Sequence, residues 1–405
     1  MRHRRHRRAG PGGDDPLTLV ARHYLDHAST SPLRPAARRA MVEVLESVEG
    51  DPGRIHAEGM AARHVLEDAR HQIAGSLGAR GREVVLTSSA TEALATAVWG
   101  AAERGRHLVV SAVEHSAVRS AAAALVEAGT HEVTVVGVDG GGRVDPDRVL
   151  AAVRPDTALV AVQAANHEVG TRQPVDDVVA ACADGGPLTL VDAAQAAGRD
   201  EVAFGSLGAD LLAVSGHKLG GPTGIGVLCV RRGLRLRPLL LGGDQERARR
   251  AGLENVPAAV GLAAALAELD GPAPHPAEHA TRRAAEVAEQ ARLADRLRSL
   301  AEGLDGVTVL GDPDHRLPHL VCLAIDGVEP QGVLLGLDQA GIAAHSGSAC
   351  SSEDLAPSPV LEAMGVDAHR SLRLSLGWSS VDADVDAVAD ALPAVLDRLR
   401  SLATG

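Results

Sequence analysis

Aromatic side chains are almost missing from this 405-residue chain. Trp99, Trp378, Tyr24 and Phe204 are the only four, so the base-stacking platforms that bind single-stranded nucleic acid cannot be built. Cysteine is scarce as well. Cys182, Cys229, Cys322 and Cys350 are widely separated and form no C-x-x-C pair, which argues against a disulfide framework or a structural zinc site. Long apolar runs are lacking too. Without 18 consecutive apolar residues, no membrane-spanning helix is expected. Lysine is the rarest cation: of 40 basic residues only Lys218 is a lysine. Arginine can replace lysine in solvation and ion pairing, but its guanidinium does not supply a neutral amine. The single lysine is therefore a candidate for amine chemistry, above all a Schiff base.

What is present is an acidic body. Arg2, Arg4, Arg5, Arg7 and Arg8 load the first ten residues with positive charge, leaving −18 for the rest of a chain whose net charge is −13. General nucleic-acid binding is not expected of such a surface. The Arg/His start resembles the basic part of an export signal, but Gly10–Asp15 stands where an apolar stretch would have to follow. Residues 1–22 read as a disordered basic tail, and the chain as cytoplasmic.

Beyond the tail, short apolar runs alternate with alanine-rich helical stretches. Strands are expected at Glu83–Thr87, Arg106–Ser111, Glu132–Val138, Ala158–Gln163, Leu188–Asp192, Leu211–Ser215 and Gly226–Val230. Helices are expected at Ala61–Leu77, Ser116–Ala128 and Asp145–Val153. This alternation predicts an α/β fold with a mostly parallel, helix-covered sheet. The region around Asp270–Pro276 reads as a break. After it come a long helix at Ala277–Leu304, strands near Val307–Leu310, Leu320–Ile325 and Arg373–Leu376, and helices at Gly332–Ala340 and Val385–Leu402. The expected division is a large domain over 23–265 and a smaller α+β domain over 266–405, with the first residues of the former packing on the latter.

Ligands of open α/β sheets sit beyond the carboxyl ends of the strands. Asp192 and Gln195, Ser215-Gly216-His217-Lys218, Thr87-Ser88-Ser89-Ala90-Thr91-Glu92 and Glu114-His115 all fall there. A lysine, a carboxylate, hydroxyls and a helix start together match what pyridoxal phosphate needs: an amine for its aldehyde, an acid for its ring nitrogen, donors for its phosphate. His115 is a flat candidate to cover the ring.

These segments, taken in order, resemble the cysteine desulfurases, in the class V aminotransferase-like branch of fold-type I pyridoxal-phosphate enzymes. The resemblance runs over residues 24–400 and includes Tyr24–Thr30, Thr87–Glu92, Glu114-His115, Asn166-His167-Glu168-Val169-Gly170, Val191–Gln195, Ser215–Lys218, His345-Ser346-Gly347-Ser348-Ala349-Cys350 and Arg373–Gly377. It implies a seven-stranded large domain. Lys218 would hold the coenzyme and move the substrate Cα proton; Asp192 would keep the ring nitrogen protonated. His115 would stack on the ring, Gln195 and His167 would lie near its phenolic oxygen, and Ala90, Thr91, Ser215 and His217 would surround the phosphate. Arg373 would bind the substrate carboxylate, with Asp51 in the substrate pocket. Cys350 would take sulfur from L-cysteine as a persulfide, leaving alanine. The other three cysteines read as core.

The resemblance also implies a homodimer and a sulfur-acceptor protein, such as an iron–sulfur scaffold or a tRNA-thiolating enzyme. Three positions depart from the family pattern: Leu253 stands where a threonine reaches the partner's coenzyme phosphate, His167 where a second asparagine is usual, and Asp51-Pro52-Gly53-Arg54 where Asn-Pro-Ser-Ser is usual. Two alternatives stay open. One is a class V aminotransferase, epimerase or lyase acting on another amino acid; the other is a catalytically silent scaffold of the same fold.

Overall fold

The computed structural model describes residues 22–183, 185–270, 276–346 and 357–403, without the side chains at 276–281 and 403. In chain order the first part contains β1 (His23–Tyr24), α1 (Pro35–Ser47), α2 (Ala57–Ser76), β2 (Val84–Thr87), α3 (Ala90–Ala102), β3 (His107–Ser111), α4 (Ser116–Glu127), β4 (Glu132–Val136), α5 (Pro146–Ala151) and β5 (Thr157–Gln163). Then follow α6 (Val175–Ala181), β6 (Leu188–Asp192), α7 (Phe204–Leu207), β7 (Leu211–Ser215), a 3-10 turn (Gly216–Leu219), β8 (Gly226–Val230), α8 (Gln245–Ala248) and α9 (Val256–Asp270). The remainder is α10 (Pro276–Glu302), β9 (Val307–Leu310), β10 (Leu320–Ile325), α11 (Pro330–Gln339), β11 (Ile342–Ala343), α12 (Pro359–Ala363), β12 (Ser371–Ser375) and α13 (Asp382–Ala403).

Seven strands form one sheet in the order β2-β8-β7-β6-β5-β3-β4. Only β8 runs antiparallel to its neighbours, β2 and β7. Every residue of β5, β6 and β7 is buried, as expected for central parallel strands covered on both faces. The β4 strand, at the edge, is only partly buried. One face carries Leu66, Ile73, Leu212, Val214 and Leu262. The other packs Leu94, Val98, Leu108, Leu125 and Leu190. Because six strands point the same way, their carboxyl ends share one rim. Gly226, opening β8, makes that rim compact: a Cβ there would lie 2.3 Å from the Ser89 carbonyl carbon.

A second, antiparallel sheet has the order β12-β10-β9. Its core joins Leu323 and Leu374 to Leu293 and Leu297 of α10, Leu337 of α11 and Leu392 of α13. The β1 strand pairs in parallel with β11, and Leu25 is buried in this second core. The chain then crosses to the rim of the large sheet. Residue 265 falls inside α9, whose Leu266 and Leu269 belong to the large sheet's core. No described helix is long and apolar enough to cross a membrane.

Two local features depart from what periodicity predicts. Helix α2 begins at Ala57 rather than Ala61, because the His56 ring accepts the Gly59 amide and caps the helix. In α8, Glu246, Arg247 and Ala248 have left-handed backbone angles, which cost energy for residues other than glycine. The Glu246 carboxylate offsets that cost: Arg70 grips both of its oxygens at 2.6 and 2.7 Å, and the Leu86 amide donates at 2.9 Å. Both side chains are buried. Glu246→Ala, which strands the Arg70 charge, should cost about 3–5 kcal/mol in urea unfolding. Glu246→Ala combined with Arg70→Met should recover much of that loss.

Candidate active site

A cavity of about 220 Å³ opens at the shared carboxyl rim of the large sheet. Ala90, Thr91, His115, His167, Asp192, Gln195, Ser215, His217, Lys218 and Arg373 all line it, so ten residues expected at the site meet in one place. Asp51 is not among its lining residues. Its carboxylate is used locally, accepting the Gly53 amide at 2.7 Å and pairing with Arg54 at 3.1 Å. Cys350 lies outside the described residues, as do Gly347, Ser348 and Ala349.

Helix α3 presents its first turn to the cavity. Ser89 accepts the Glu92 amide at 3.2 Å, and Glu92 accepts the Ser88 amide at 2.8 Å. This reciprocal cap fixes the helix start, where unpaired amides and the helix dipole favour an anion. Ser215 ends β7 across from it. Burial, together with the neighbouring Lys218, lowers the His217 imidazole to about 4. It is neutral at physiological pH and offers a hydrogen bond rather than a charge.

Asp192 is the last residue of β6, buried, with one carboxylate oxygen accepting the Ala194 amide at 2.9 Å. Gln195 donates to the Ala28 carbonyl at 2.9 Å, while its Oε1 is buried with no partner among the described residues. His115 caps α4, its Nδ1 accepting the Ala117 amide at 3.1 Å. The His167 ring meets it edge to face at 5.1 Å. His167 Nε2 lies 3.5 Å from Glu168 Oε1, and its Nδ1 is buried without a described partner.

Arg373, on β12, reaches the cavity from the second sheet. It donates to the His167 carbonyl at 2.9 Å, to Asp26 at 3.0 Å and to Ser29 at 2.6 Å. Its Nε is buried with no described partner. Asp26 and Ser29, the side chains that hold Arg373, carry no sequence signal of that role. They sit in the Tyr24–Thr30 segment, whose two-residue strand is too short to show a period. On its backbone, Arg373 pairs with His345 in both directions, at 3.2 and 2.6 Å, so the segment leading to Cys350 starts beside it. The far flank is also tied down: the Ser358 hydroxyl bonds the Glu168 carboxylate. The three described cysteines are buried, and burial pushes the Cys322 thiol up to about 12. Such thiols are poor nucleophiles.

The aminotransferase class-V family matches residues 23–388. The chain belongs to that family. It is 42% identical to the cysteine desulfurase of Gluconacetobacter diazotrophicus over 387 residues, 94% of each chain. It is 39% identical to cysteine desulfurase IscS 1 of Archaeoglobus fulgidus over 386 residues, 94% of this chain and 98% of the relative. The solved structure of a NifS-like protein from Rickettsia africae superposes with a TM-score of 0.81 at 26% identity, covering 93% and 99% of the two chains.

The class-V coenzyme, pyridoxal phosphate, fits the donors found. The unpartnered Gln195 Oε1 awaits a hydroxyl, Asp192 is a buried acid for a ring nitrogen, and the α3 amides with Thr91, Ser215 and His217 suit a phosphate. Lys218, in the same cavity, could supply the amine.

Glu114 backs this arrangement from the connection between β3 and α4. Its Oε1 accepts the Ser111 hydroxyl at 2.6 Å and the Gln163 amide at 2.8 Å, but its Oε2 has no described partner. Burial raises its carboxyl to about 8, and the Asp192 charge adds to the rise against the pull of those hydrogen bonds. The folded protein therefore holds a proton there that the unfolded chain releases near the ordinary carboxylate range. That stability is complete at low pH and is lost as pH climbs towards 8. Urea midpoints measured from pH 5 to 9 should fall more steeply for wild type than for Glu114→Gln, whose side chain does not titrate.

Proposed function

We infer that this class-V protein is a pyridoxal-phosphate-dependent cysteine desulfurase. It converts L-cysteine to L-alanine and holds the sulfur as a persulfide on Cys350. The observation that carries the reading is the convergence of the chain's sole lysine with a buried carboxylate and a buried arginine in one cavity.

Bound pyridoxal phosphate supplies an electron-accepting ring that loosens the bonds around the substrate Cα. Asp192 would keep that ring's nitrogen protonated. Lys218 would hold the coenzyme at rest and, with its amine free, would take the Cα proton and later return it. Arg373 binds the substrate carboxylate, exchanging part of its contact with Ser29 for the fork that a carboxylate offers. Asp26 orients the guanidinium as this happens. The His115 and His167 rings exclude water and confine the substrate side chain.

The Cys350 thiolate attacks the substrate sulfur. The C–S bond breaks with its electron pair left on carbon, and a proton completes the methyl group of alanine. Cys350 lies five residues beyond His345, a tether of at most about 18 Å. The anchoring of His345 on Arg373 supports this reach. The persulfide then passes to an acceptor protein, for which an iron–sulfur scaffold and a tRNA-thiolating enzyme both have suitable chemistry.

The working form is a homodimer in this reading. Leu240, Leu241 and Leu253 expose 41%, 74% and 61% of their surface, and the Ala251 amide bonded to the Leu240 carbonyl brings the ends of their segment together. Exposed apolar groups so clustered favour a protein partner. Leu253 offers no hydroxyl to a phosphate in the second subunit, so the phosphate grip depends on the chain's own α3 terminus.

Supplied with L-cysteine and a reductant, the wild-type protein should release sulfide and alanine in equal amounts. Lys218→Ala and Cys350→Ala should each lose about 10³-fold or more of that activity. Sulfide release that survives Cys350→Ala, or pyruvate or an epimer in place of alanine, would favour another class V reaction.

A further inference from the structure

Four consecutive backbone carbonyls around Lys218 are each held by a donor from outside the turn. The Ser31 amide takes His217 O at 3.0 Å, and Arg34 takes both Gly220 O (backbone amide, 2.8 Å) and Leu219 O (Nε, 2.9 Å). Arg199 takes Lys218 O at 2.8 Å. Gly220 makes this possible: its φ is +77°, and a Cβ there would lie 2.6 Å from Arg34 Cγ. The rest of the Arg34 guanidinium faces away from the turn. Its Nη2 grips both oxygens of Glu286 on α10 at 2.7 and 2.9 Å, and Nη1 reaches Glu268 on α9 at 3.4 Å. The group also lies 5.5 Å above the ring of Trp378, five residues past Arg373, and Trp378 in turn donates to the Pro32 carbonyl at 2.8 Å. Arg34 is 4% exposed.

We propose that Arg34 is a positioning residue for the reaction: it fixes the turn that aims Lys218 and ties that turn to α10 and to the segment following Arg373. It touches neither substrate nor coenzyme. Its donors set where the carbonyls of residues 219 and 220 stand, and hence the direction in which the Lys218 side chain leaves the backbone. Through Glu286, shared electrostatically with the buried Arg199, the amine and the carboxylate-binding arginine are held in register although one stands on the turn after β7 and the other on β12. Arginine is suited to this because one planar group serves a carbonyl and two carboxylates at fixed angles.

The inference rests on Lys218 as the coenzyme-bearing residue, so the experiment separates the two. Coenzyme-free wild type, Arg34→Met, Arg34→Lys and Glu286→Gln are mixed with pyridoxal phosphate, and attachment at Lys218 is followed by absorbance and peptide mass spectrometry, alongside kcat, KM for cysteine and melting temperature. Arg34→Met should slow attachment and lower kcat by about 10- to 100-fold, the scale of a small misplacement. KM should move by less than about twofold. Arg34→Lys should recover part of both rates, and Glu286→Gln, which leaves the two carbonyl contacts in place, should slow attachment to a lesser degree. Wild-type rates in Arg34→Met overturn the proposal, as do losses in proportion to the unfolded fraction alone. Should Arg34→Met not fold, a wild-type attachment rate in Glu286→Gln overturns it. Failure of the wild-type protein itself to attach coenzyme at Lys218 counts instead against the functional reading.

Discussion

Lys218 is the only lysine of this arginine-rich chain, and so its only side chain that carries a primary amine. The architecture around Lys218 follows from where that amine must stand. Parallel strands bring their carboxyl ends to one rim, and a residue just past such an end can face ligand while its backbone stays anchored in the sheet. Lys218 follows β7 by three residues, Asp192 closes the neighbouring β6, and the start of α3 stands across β8 from them. An amine on the turn after β7, an acid at the end of β6 and a helix start thus share one cavity.

Burial sets the electrostatics of that rim. Asp192 is sheltered from water, and the same shelter raises the Glu114 carboxyl and lowers the His217 imidazole. The rim therefore sets two groups kept neutral, Glu114 and His217, beside Asp192 and Lys218. Arg373 is a buried cation that arrives from the second sheet with its own partial counter-ion, Asp26. In the proposed reaction the substrate carboxylate would complete that neutralisation.

Much of this was legible in the residues. The central strands are short, mostly apolar and bounded by helical stretches, so their number and positions could be read directly. The site was legible because its members fall at strand ends and because depletion of lysine makes Lys218 conspicuous. Other features depend on contacts too distant in sequence to leave a local pattern. Pairing of β1 with β11 joins residues more than 300 apart, and the donors that tie Arg373 to Asp26 and Ser29 span similar separations. The left-handed turn at Glu246 owes its conformation to Arg70, far away on α2. Asp51 stands away from the cavity lining, its carboxylate bonded within its own loop, a use that family position alone does not reveal. The role of Arg34 was equally hidden, since an arginine before a proline on a helix start resembles any other surface residue.

The most direct measurement is covalent. Protein loaded with pyridoxal phosphate is reduced with borohydride, digested, and its peptides are weighed. The account predicts a single coenzyme-bearing peptide, modified at Lys218, and none when the coenzyme is omitted. Coenzyme recovered wholly unattached, or fixed at any other position, would contradict it.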